Sequence, residues 1–263
     1  MYSWDSAAVL STLILGPLLL LLFFFHEFLL EPGRFMSRLF PRQTPMLPFH
    51  LFRKTDTLLL MTINFATGAS LMSAFYFISI YWEIAEGYSA SEAGVQLLYY
   101  TPGIGVGVYT AMFLCNITPR QTFFPLLTGS VIEAVGIAVL AYACSKRTKG
   151  LVNGMLALSG IGTGLRFMPV VLHAAGIWPT RIAAVLSLMS FMIPFGGTLG
   201  IAMMGSVFTN KFNQALRGIE TGSTDPAGSS SLNTNAPPSL NILNGLPAKE
   251  KSQVQHAAAR AVM

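Results

Sequence analysis

The sequence predicts an all-α protein, a polytopic membrane bundle of about six transmembrane helices with a disordered polar tail, and three observations carry that prediction. The composition is 52% hydrophobic and only 10% charged over 263 residues, with mean hydropathy +0.57, whereas a soluble domain carries about 25% charged residues. Six apolar runs are each long enough, at about 1.5 Å per residue, to cross a hydrocarbon core of roughly 30 Å. Up to residue 208, every Lys and Arg except Arg166 falls in the connections between the runs, the pattern of a membrane protein obeying the positive-inside rule. The formal charge of +5 therefore says nothing about nucleic acid, since no basic face interleaved with aromatic residues accompanies it.

The organising stretch is Leu151 to Trp178, apolar apart from Asn153, Arg166 and His173. It reads as a span, with Gly160, Gly162 and Gly164 at its middle and Arg166 just beyond them. A permanent cation at that depth needs a partner or a water-filled cavity, because lipid exposure would cost at least about 2.5 to 3.5 kcal/mol.

In chain order, Ser6 to Leu30 is the first span, bent at Gly16-Pro17. Its length, the lack of a basic leader and the presence of Asp5 argue against a cleaved signal peptide. His26 and Glu27 near its end read as headgroup-level residues. Residues 31–55 form a basic cytoplasmic loop, whose prolines at 32, 41, 45 and 48 preclude one continuous helix. Asp56 to Trp82 is the second span, with Asn64 and Gly68 inside it and Phe75, Tyr76, Phe77, Tyr81 and Trp82 as an interfacial aromatic belt. Glu83, Glu86 and Glu92 follow in a short outer loop. Gly94 to Cys115 is the third span, interrupted at Thr101-Pro102-Gly103. Its glycine spacing, like that of Gly160-Ile-Gly162-Thr-Gly164, is not a dinucleotide loop, since no strand precedes it and no acidic residue follows at the required distance.

Thr122 to Cys144 is the fourth span, with Glu133 at its centre. Ser145 to Lys149 is a tight loop before the fifth span, and Pro179-Thr180-Arg181 leads to the sixth, Ala183 to Phe208. Gly196 and Gly200 make a small-xxx-small packing face there, and Gly103, Gly160 and Gly164 are further packing positions. The bundle proper is 56–208, and 209–263 is a polar tail too poor in apolar residues to fold alone. Arg34, Arg38, Arg42, Arg53, Lys54, Arg120 and Arg181 on one side, against Lys146, Arg147 and Lys149 on the other, place both chain ends and the tail outside the cell. Cys115 and Cys144 read as small apolar residues. Neither a metal set, nor a cofactor motif, nor a hydrolytic constellation is present in the sequence, so no cofactor and no enzymatic role are expected.

Several stretches together resemble the major facilitator superfamily, specifically the fungal fourteen-span drug:proton antiporter type. They are Tyr2-Ser-Trp-Asp-Ser6, Pro48-Phe-His-Leu-Phe52, Tyr88-Ser-Ala-Ser-Glu-Ala-Gly94, Gly160-Ile-Gly-Thr-Gly-Leu-Arg-Phe-Met-Pro169, and Gly196-Gly-Thr-Leu-Gly-Ile-Ala-Met-Met-Gly-Ser-Val-Phe208. The resemblance runs from Tyr2 to about residue 212. It implies proton-coupled efflux of small organic molecules, in the plasma membrane or secondly the vacuolar membrane, with this chain as an incomplete C-terminal half: spans eight to thirteen, without the first seven or the last. The alternative reading is a non-transporting truncated product, or a half-transporter subunit that needs a second chain. On the resemblance Arg166, Asn64, Gln96, Tyr99, Tyr100 and His173 are transport-path candidates, while the span that carries Glu133 is peripheral. The family usually has a neutral residue where Arg166 stands. Glu133 and Arg166, at mid-depth on neighbouring antiparallel spans, are a candidate structural ion pair.

Overall fold

The computed structural model describes residues 7–31, 45–46, 49–117 and 122–220. The described residues are helical almost throughout and contain no strand. The helices are α1 (Ala7–Leu29), α2 (Thr55–Ile80), α3 (Ala90–Leu97), α4 (Tyr100–Ile117), α5 (Phe123–Lys146), α6 (Lys149–Ile177) and α7 (Ile182–Glu220), with a 3-10 turn at Phe49–Arg53 and a π turn at Tyr81–Ala85 continuing α2. Six segments are long and apolar enough to cross a membrane, α3 and α4 together making one of them. We call the end where α2, α5 and α7 begin the near end, and the other the far end.

Helix α6 is the hub. It packs along α4 on one side and α5 on the other, α2 packs along α7, and smaller contacts of α6 with α2 and α7 join the two groups. Over its most apolar stretch α6 is 56% buried, against 28% for α2, α5 and α7. Helix α1 is only 6% buried over the same measure, and most of its Leu and Phe side chains are exposed. Its last turns meet the rest through buried Glu27 and Leu30 and the ring of Phe28 against Phe49.

Glycines set how closely these helices approach. A methyl on Gly68 of α2 would overlap the Ile193 carbonyl of α7, and one on Gly196 would overlap the Phe65 carbonyl in return. Gly200 faces Ala69 in the same seam. Between α4 and α6 the exchange repeats: Gly103 meets the Ala157 carbonyl, while Gly160 and Gly164 meet those of Tyr100 and Ile104. Where lipid competes equally for apolar surface, such backbone-to-backbone contact is what small residues contribute to helix association. The five packing glycines named from the sequence all lie in these seams, as does Gly107 on α4, while Gly162 on α6 faces the backbone of Glu133 on α5.

Four local readings differ from the sequence expectation. The interruption in the third span lies at Leu98–Tyr99, a turn before Thr101-Pro102-Gly103. Pro102 has no N–H for the Leu98 carbonyl and its ring crowds that carbonyl, so the ladder breaks four residues upstream and Thr101 N–H takes the bond instead. Glu92 is inside a helix: Ser89 caps α3 and forms a reciprocal capping box with it. The aromatic run ending α2 is largely core, since Phe77, Tyr81 and Trp82 are buried and only Tyr76 among the five is exposed; Tyr81 and Trp82 share an apolar cluster with Ala93 of α3, and Phe77 packs on Phe208 of α7. Finally, α7 continues past Phe208 to Glu220, so residues 209–220 are helical. The tail beyond residue 220, and most of the basic loop after α1, lie outside the described residues.

The loop between α5 and α6 is two residues, with Arg147 left-handed at φ 51°. Its basic residues, which run against the positive-inside count, are partly neutralised locally: the Lys149 ammonium lies 3.5 Å from Glu86 and donates to the Tyr88 hydroxyl at 2.8 Å.

Candidate functional site

Apolar clusters fill the two ends of the bundle. The far-end cluster holds Tyr81, Trp82, Ala93, Tyr100, Leu140, Cys144 and Val152; the near-end cluster holds Leu51, Leu60, Val170, Val185 and Met189. Polar side chains form a belt between them, and several of its members bond across a helix boundary. Glu133 of α5 is the centre. It is 3% exposed, forms an ion pair with Arg166 of α6, itself 7% exposed, and accepts a hydrogen bond from the Ser70 hydroxyl of α2. One carboxylate thus ties three helices. The smallness of Gly129 and Gly162 allows this, since a methyl at the first would press on the Arg166 stem and one at the second on the Glu133 backbone.

Three further bonds extend the belt. Tyr100 of α4, 1% exposed, shares a 2.6 Å hydrogen bond with Thr163, one turn from Arg166 on α6. The Asn64 amide of α2 donates to the Met189 carbonyl of α7 at 3.0 Å. Toward the far end, the Asn153 amide of α6 donates to Gln96 of α3 at 2.8 Å.

The six path candidates accordingly do not converge on one cleft. Arg166, Asn64 and Tyr100 are buried and engaged, Gln96 is half-buried and bonded to Asn153, and Tyr99 points outward, 48% exposed. His173 lies apart, half-buried at the near end with its Nδ1 in contact with the Thr122 hydroxyl. There it borders an open groove of about 390 Å³ between α2 and α5, whose walls include Leu60, Ile63, Leu126 and Leu127 and whose rim includes Asp56. The residues that sequence reasoning missed are Ser70 and Thr163. A hydroxyl in an apolar helix ordinarily bonds its own backbone, as Thr67 does to Ile63, so spacing alone did not single out these two.

Among the described residues no group of three His, Cys, Asp or Glu is placed to hold a metal ion, and both cysteines are free.

No family model matches the sequence. Curated proteins do. An MFS-type transporter of Metarhizium majus, ppz2, is 22% identical over 95% of this chain and 42% of its own length. The aspyridones efflux protein of Neocamarosporium betae is 24% identical over 82% of this chain and 36% of its own. The MFS-type transporter GME11371 of Pestalotiopsis microspora is 30% identical over 79% of this chain and 36% of its own. The chain is a homologue of the major facilitator-type transporters. It spans well under half the length of these relatives. The family is not enzymatic, and six apolar helices make this homologue an integral, multi-pass membrane protein.

Proposed function

We propose that this major facilitator homologue works as part of an exporter of small organic molecules, driven by protons and seated in the plasma membrane or, secondly, the vacuolar membrane. The observation that carries the reading is similarity along most of the chain to proteins named as transporters, one an aspyridones efflux protein and another, of Bacillus subtilis, a multidrug transporter protein. The bundle adds physical support. Its helices are locked in close seams and its internal charges are paired, the construction of a body that moves as a unit against another.

In such transporters substrate passes between two bundles. The chain accounts for one set of helices, and a second bundle completes the path, whether in the same polypeptide or in a separate one. The exposed aromatic and aliphatic side chains of α4, Tyr109 and Phe113 among them, offer a surface to pack on. A chain that carries no transport is the competing reading, and the same experiment separates the two. Cells lacking the locus are compared with restored cells for accumulation of a panel of amphipathic fluorescent compounds, with and without a protonophore. Higher accumulation on deletion, reversed by restoration and abolished as a difference by the protonophore, supports proton-driven export. Equal accumulation across the panel contradicts it.

A further inference from the structure

We propose that the segment from Gly87 to Leu98 is a hinged lid closing the far end of the bundle over the buried aromatic residues Trp82 and Tyr100. The inference rests on the geometry of the bundle and stands independently of the transport reading.

Both ends of the segment are built to turn. At its start the π turn Tyr81–Ala85 ends and Gly87 takes φ 75°, a left-handed conformation that glycine adopts at little cost, while the Tyr88 N–H reaches back to the Trp82 carbonyl. At its finish the helix is broken at Leu98–Tyr99 for the reason given above, the missing N–H of Pro102. Between these points lies α3, a capped and self-contained helix. Two hinges with a rigid piece between them are the anatomy of a moving flap.

The flap is held more weakly than anything around it. Of the eight residues of α3 only Ala93 is fully buried, whereas Val95 is 55% exposed. Its neighbours α4 and α6 are joined by the glycine seam; α3 contributes no glycine to a seam, and nothing lies within 4 Å of a methyl placed on Gly94. What closes it is Ala93, set in the far-end apolar cluster with Tyr88 and Leu97 against that cluster, together with polar ties: Asn153 to Gln96 at 2.8 Å, and Lys149, which donates to Tyr88 at 2.8 Å and lies near Glu86. Beneath it stand the Trp82 ring, stacked on Tyr88, and Tyr100. Segments held by few apolar contacts and by partly exposed hydrogen bonds are the ones that open locally. Opening would let water reach Tyr100 without disturbing the seams.

The test uses thiol labelling of the detergent-solubilised chain in a background with Cys115→Ser and Cys144→Ser. Ala93→Cys reports the underside of the lid, and Ala111→Cys, equally buried but on α4 beyond the hinge, reports the closed bundle. A maleimide should label position 93 at least about tenfold faster than position 111, a difference of roughly 1.4 kcal/mol in opening free energy. Adding Lys149→Ala should raise the rate at 93 a further few-fold, consistent with the loss of a partly exposed tie, and leave 111 unchanged. Equal protection at the two positions, insensitive to Lys149, would overturn the proposal. So would a parallel rise at both positions, which would mark loosening of the whole bundle.

Discussion

Replacing Glu133 by Gln isolates the charge term at the centre of the belt. Gln keeps the length of the side chain and an oxygen to accept the Ser70 hydrogen bond, but leaves the Arg166 guanidinium, 7% exposed, without its counter-ion. Arginine does not shed its proton to escape this. Removing one partner of a buried pair costs about 3 to 5 kcal/mol, and placing an unpaired arginine at mid-membrane costs about 2.5 to 3.5 kcal/mol on insertion scales. The two estimates overlap near 3 kcal/mol. Arg166→Met, which strands the carboxylate, should cost about the same. The double variant Glu133→Gln/Arg166→Met removes both charges, keeps the Ser70 bond and should be more stable than either single variant. The assay is reversible SDS titration of the purified chain in mixed micelles, followed by helicity. Losses from the two single changes that simply add in the double variant would refute the reasoning, because independent sites add and paired ones do not.

The remaining predictions follow from the same contacts. Gly160→Ala and Gly196→Ala drive a methyl into carbonyls of Tyr100 and Phe65 and should each cost about 1 to 3 kcal/mol as overpacking. Gly105→Ala and Gly154→Ala, where nothing lies within 4 Å, should be neutral or stabilise by up to about 1 kcal/mol through helix propensity; the same titration distinguishes the sets, and equal losses in both would contradict the seams. Asn64→Leu removes the bond to the Met189 carbonyl and should cost about 0.6 to 1.7 kcal/mol, read as an earlier denaturation midpoint. Tyr100→Phe should leave packing intact and lose a similar amount through Thr163, whereas Tyr99→Phe, on an exposed ring, should lose nothing.

What could be read from the sequence divides along physical lines. Helices were legible from apolar length: α6 occupies Lys149–Ile177 where Leu151 to Trp178 was expected. The contact of Glu133 with Arg166 was legible as a candidate because the two residues sit on consecutive antiparallel spans joined by a tight loop, which restricts their relative depth. Ser70 was not, because its place in the belt depends on how α2 rotates against α5, and no local pattern encodes that rotation. The break at Leu98–Tyr99 was misplaced for a local reason, since a proline acts on the carbonyl four residues before it and not at its own position. The aromatic residues ending α2 look alike whether they face lipid headgroups or a covering helix, and only the positions of α3 and α7 decide between these.

The most direct measurement for the exporter reading is transport by the native product itself, tagged at the locus, purified with whatever accompanies it and reconstituted into liposomes under an imposed proton gradient. The account predicts movement of an amphipathic dye that depends on the gradient and stops when the gradient is collapsed. A cooperatively unfolding, correctly inserted product that moves no compound from the panel, with or without the gradient, would contradict it.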